Sequence, residues 1–209
     1  MHFGIRAILL IANCVGNHVL ATWLRRRYGQ DRLTRIFSWS VHSYAGHSWL
    51  TFGLAIAPDL AFATAWWRSF FPVWFFNIVL MLHFTMAYCG HEGRASKALL
   101  RAFYAGAAVC SVLGVLNLYP VVLIVRPDMV WDVDPLKNPF MFKFCVPFLL
   151  LVFLVCVAHA AWRVHSVRGK KGLKAPAWLI LFALLAHFIV STFIVSGVAT
   201  WIGTFDVSV

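Results

Sequence analysis

Asn13 and Asn17 stand four residues apart in an otherwise apolar run, so a helix places both amides on one face. Further along, Ser38, Ser40, His42, Ser43, His47, Ser48 and Thr51 interrupt a second apolar run. A third run carries Asn77, His83 and Thr85, a fourth Asn117, and the last His187, Ser191 and Thr192. Polar groups of this kind have two uses inside apolar helices. They hydrogen-bond from helix to helix, at about 0.6 kcal/mol each, or they line a cavity for a small ligand. The ligand-binding candidates are His47, Asn77, His83 and His187, with the loop around Trp131 as a lid.

The histidines allow a second chemistry. Haem or a chlorophyll-type pigment takes imidazole ligands from helices at matching depth. His47 and His187 both fall near the middle of their runs; His42 and His83 lie nearer one end, with His18 close by. These are ligand candidates on spacing alone, and nothing in the sequence requires a cofactor. No metal site is expected. His91 and His165 are expected in solvated loops.

No catalytic constellation is visible, and the chain is not expected to be an enzyme. Catalysis calls for clustered acids with histidines, or a serine or cysteine nucleophile beside a base. None of the seven acidic residues falls within an apolar run. Asp128, Asp132 and Asp134 read as a solvated loop. Cys14, Cys89, Cys110, Cys145 and Cys156 are scattered without a Cys-x-x-Cys pair and read as small packing residues.

The elements that hold these residues follow from composition. Of 209 residues, 62% are hydrophobic and 12% charged, and mean hydropathy is +0.80. A soluble fold of this size does not hide so much apolar surface, whereas lipid removes the need. The expected architecture is an all-α integral membrane protein: a single bundle of about six transmembrane helices over residues 3–24, 33–57, 66–88, 98–125, 139–164 and 175–202. Pro120 is expected to kink or end the fourth. That helix also carries Ala102, Gly106, Cys110 and Gly114, a small residue at every fourth position, where another helix of the bundle or a second copy packs closely.

The net charge of +11 invites comparison with nucleic-acid binders. The positive residues instead sit in short loops between apolar runs, with no soluble basic domain to engage nucleic acid. Arg25, Arg26, Arg27, Arg32 and Arg35 follow helix one; Arg94, Lys97 and Arg101 follow helix three; Arg163, Arg168, Lys170, Lys171 and Lys174 follow helix five. This alternation places those loops in the cytoplasm and the amino terminus outside. The expected location is the bacterial inner membrane, and the expected partners are membrane lipids with other membrane subunits or a homodimer.

Several stretches together carry a resemblance. They are Trp23–Arg27 followed closely by 33–57, then Phe70-Phe71-Pro72-Val73-Trp74, His83-Phe84-Thr85, Val125-Arg126-Pro127-Asp128, Val146-Pro147-Phe148 and Arg168-Gly169-Lys170-Lys171. The chain resembles the seven-transmembrane N-terminal input region of bacterial histidine kinases and diguanylate cyclases. Its expected departure from that family is the missing seventh helix and effector domain. The resemblance implies a sensory, receptor-like module without its own catalytic domain. The alternative is an accessory subunit of a respiratory or photosynthetic membrane complex.

Overall fold

Two aspartates start two of the helices. The carboxylate of Asp31 accepts from the Thr34 amide at 3.0 Å, and that of Asp59 accepts from the Phe62 amide at 2.8 Å. Each satisfies a donor that a helix start leaves bare. In this computed structural model the described residues are 5–29, 31–91, 93–116, 123–125, 131–133 and 141–167, with 178, 179 and 182. They form α1 (Ile5–Tyr28), α2 (Arg32–Ala55), α3 (Leu60–Tyr88), α4 (Arg94–Val115) and α5 (Val146–Ser166). The cap at Asp59 extends α3 six residues ahead of the start at 66 expected from the apolar run.

Helix four departs from expectation. It begins at Arg94 and ends at Val115, instead of running from 98 to 125. Leu123–Val125 is a β-strand (β1) paired antiparallel with Trp131–Val133 (β2), Ile124 opposite Asp132. The reason is local. Pro120 has no N–H to give the Leu116 carbonyl, and the aliphatic Leu123-Ile124-Val125 run suits a ladder. Pro120 itself lies outside the described residues. A π-helical turn, Met141–Cys145, then leads into α5, where proline at the start is tolerated. Of the expected helix six, only Trp178, Leu179 and Phe182 are described, and they are helical.

Side-chain contacts fix the layout. α1 meets α2 through Asn13 with Ser48, and through Ser38 with the Ala21 carbonyl, so the two are antiparallel. α2 meets α3 through His47 with Phe70 and Phe37 with Phe84, again antiparallel. α4 runs antiparallel to α3, Tyr104 beside His83 and Gly114 beside Phe71. α5 lies parallel to α3, with Phe148 against Phe75 and His159 against Cys89. The basic turns after α1 and α3 and the basic C-terminal end of α5 therefore share one end of the bundle.

The core centres on α3. Phe71, Phe75, Val79, Leu82 and Met86 pack against Phe103 and Ala107 of α4 and against Leu149, Val152 and Cys156 of α5. α1 stands apart, touching α2 and leaving Ile8, Leu9, Val15 and Val19 exposed. Such a face is stable in lipid, where exposure of apolar side chains costs nothing.

Four described helices, α1, α3, α4 and α5, are long and apolar enough to cross a bilayer. The chain is a multi-pass helical membrane protein. α2 is equally long at 24 residues, about 36 Å at 1.5 Å per residue, but falls outside that group. Its serines lie in the helix contacts: Ser38, Ser40 and Ser48 are buried between α1 and α3. A polar helix is tolerated in that position because its neighbours satisfy it.

Candidate functional site

The densest polar arrangement is the seam that α2 makes with α1 and α3. Asn13 Nδ2 donates to Ser48 Oγ at 2.6 Å. One turn away, Asn17 Nδ2 donates to both the carbonyl and the side-chain oxygen of Asn13, each at 2.9 Å. On the other flank Asn77 Nδ2 donates to Ser43 Oγ and, at 3.5 Å, to the Ser40 carbonyl. Ser43 Oγ in turn donates to the Ser40 carbonyl at 2.9 Å. Asn13 thus holds Ser48 with Asn17 one turn behind it, while Asn77 engages two acceptors of α2 at once.

Of the candidate ligand residues, the three whose side chains are described, His47, Asn77 and His83, meet different neighbours. His47 packs its ring on Phe70 at 4.6 Å, between α2 and α3. Asn77 is engaged in the seam. His83 turns to α4 instead, its Nδ1 3.1 Å from the Tyr104 hydroxyl. His187 lies outside the described residues, and Trp131 is described only by its backbone in β2. Of the histidine pairs, only His42 with His83 lies within the described residues. His42 faces His18 of α1 at 4.9 Å between ring centroids, while His83 faces α4, so the structure turns these two to different neighbours. Among the described residues, no group of three or more His, Cys, Asp or Glu side chains is placed to hold a metal ion.

The small-residue stripe is used inside the chain. Gly114 is buried under Phe71: a Cβ there would sit 2.4 Å from the Phe71 ring. Gly106 faces Phe148 of α5, where a Cβ would approach to 3.2 Å. Cys110 is half-buried against the same core, whereas Ala102 is exposed.

His91, expected in solvent, is instead packed. Gly90, at φ 76°, ends α3 with paired bonds: the His91 amide donates to the Met86 carbonyl at 2.9 Å and the Gly90 amide to Ala87 at 3.0 Å. That turn delivers the imidazole to α5, 4.6 Å from the His159 ring and 4.4 Å from Trp162. Burial, with His159 and Arg163 nearby, holds His91 below the usual histidine range. Beside it the Cys89 thiol donates to the His159 carbonyl at 3.3 Å, and burial pushes that thiol up to about 11. Sequence reasoning missed this group because its members lie about 70 positions apart; the Gly90-His91 turn was the only local signal.

A small cavity of about 20 Å³ opens beside these residues, between α2, α3 and α4. His83, His91, Arg32, Ser96 and Lys97 line it, and Met86 and Leu100 close its apolar side. A second, open groove of about 540 Å³ lies over the α1–α2 turn, lined by Arg25, Arg26 and Arg27. Comparison with protein-family models, curated proteins and solved structures finds no match to this chain.

Proposed function

We propose that the chain is a sensory, receptor-like module of the bacterial inner membrane, six-helical with its amino terminus outside and the basic end in the cytoplasm. It performs no chemistry of its own; it passes a change of helix position to an effector. The observation that carries this reading is the α1–α2 seam, where Asn17 stands one turn behind Asn13. A slide of α1 by one turn, about 5.4 Å, exchanges Asn13 for Asn17 at Ser48. Asn77, bonded to both Ser43 and the Ser40 carbonyl, holds α3 to α2 in either arrangement. Both arrangements keep the polar groups satisfied, which is what a two-state element within a membrane requires. The resemblance to histidine-kinase input regions points the same way.

The test is electron–electron distance measurement in nanodiscs. Labels go at Arg26→Cys and Ala161→Cys, both exposed at the basic end, with Cys14 and Cys110 changed to Ala. The sensory reading expects two distance populations whose ratio shifts in Asn13→Ala and shifts oppositely in Asn17→Ala. A single distance that neither variant moves overturns it.

The exposed apolar faces of α1, α4 and α5 favour a second reading, an accessory subunit of a respiratory or photosynthetic complex. Gentle detergent purification separates the two. Foreign subunits at fixed stoichiometry, or a haem or chlorophyll absorption band, would establish the accessory role.

A further inference from the structure

The cavity between α2, α3 and α4 has a chemical bias that the seam does not use. Its polar lining is almost wholly donor. Arg32 and Lys97 supply two cations. His83 Nε2 and His91 Nδ1 are both buried without a hydrogen-bond partner. When the Tyr104 hydroxyl donates to His83 Nδ1, the ring proton sits on Nε2, so the orphaned atom is a donor awaiting an acceptor. Ser96 stands in the first turn of α4, whose cap residue Gly93 has no side chain to occupy the free amides. The positive end of that helix adds to the field. Among the described residues that line the cavity there is no carboxylate.

From this we infer that the cavity is a phosphate subsite in which one non-bridging oxygen of an anionic phosphate occupies the water-sized space beside His83 and His91, while Lys97 and Arg32 hold the rest of the group at its mouth. The volume of about 20 Å³ admits one oxygen and not a whole phosphate. The group therefore sits at the mouth, at the level of lipid headgroups, and its source is a phospholipid headgroup or free phosphate. Buried donors left without an acceptor cost free energy, and an anion removes that cost. The site goes beyond the sensory reading and stands independently of it.

The experiment uses the full chain in nanodiscs of phosphatidylcholine, with and without phosphatidylglycerol, and in detergent with inorganic phosphate. Thermal unfolding and native mass spectrometry are the readouts. Ser96→Asp is the decisive variant. It places a carboxylate in the first turn of α4, which favours the helix, and it repels an anion from the cavity. The expected result is stabilisation by phosphatidylglycerol that Ser96→Asp abolishes while its unfolding temperature without anion equals or exceeds that of the native chain. Lys97→Gln, at an exposed position, is expected to weaken binding about tenfold. Inorganic phosphate that reproduces the effect assigns the site to free phosphate; an effect confined to phosphatidylglycerol assigns it to lipid. Stabilisation by neither, or stabilisation that survives Ser96→Asp, overturns the inference.

Discussion

Asn13 Nδ2 and Ser48 Oγ, 35 positions apart, meet at 2.6 Å and tie α1 to α2. Ser48 is 2% exposed, so its hydroxyl depends on that amide. Replacing Asn13 with Ala should cost about 0.6 kcal/mol, the membrane average, because Asn17 stands one turn away to substitute. The double variant Asn13→Ala/Asn17→Ala should cost more than its two parts together. Unfolding in bicelles measures both, and strict additivity would show that Asn17 is not a spare partner.

Close approach of α3 and α4 depends on the missing side chain at Gly114. Gly114→Ala forces a methyl group to within 2.4 Å of the Phe71 ring and should destabilise by about 1–3 kcal/mol. Gly16, with nothing within 4 Å of a Cβ, is the control, and Gly16→Ala should be neutral or mildly stabilising. Equal effects at the two sites would contradict the packing described for α4.

At the start of α2, the Thr34 amide bond holds the Asp31 carboxyl below its ordinary value of 3.8. The sign follows from linkage. The cap is fully effective above 3.8 and is lost as pH falls through the lower folded value. Hydrogen exchange at the Thr34 amide should accelerate in that acid window. Asp31→Ala should show the fast rate at neutral pH as well.

For His91 the sign is the same, at higher pH. Its value lies below 6.5, so the folded chain binds fewer protons than the unfolded chain just under that pH. Packing of His91 against His159 and Trp162 is therefore intact well above 6.5 and weakens as pH falls from 6.5 towards the folded value. The fluorescence difference between the native chain and Trp162→Phe should report this between about pH 7 and pH 5. His91→Phe should flatten the profile, and a pH-independent signal in the native chain would refute the assignment.

The helices themselves are legible in the residues because apolar length and local caps are properties of neighbours along the chain. The apolar runs mark α1, α3, α4 and α5, and the charges of Arg25–Arg27, Arg94, Lys97 and Arg163 mark one common end. The polar texture of α2 is equally plain in Ser38, Ser40 and Ser48. Partner choice was not legible. Whether His83 faces Tyr104 or another histidine depends on how α3 is rotated against α4, and sequence spacing within one helix carries no record of that angle. His91 lies in a loop by sequence, yet a glycine turn and the parallel placement of α5 bring its ring against Trp162. The short β1–β2 ladder likewise depends on two segments meeting across a turn. Periodicity fixes which residues share a helix; only tertiary packing decides which of them meet, because register between helices is set by the sum of many side-chain contacts rather than by any one segment.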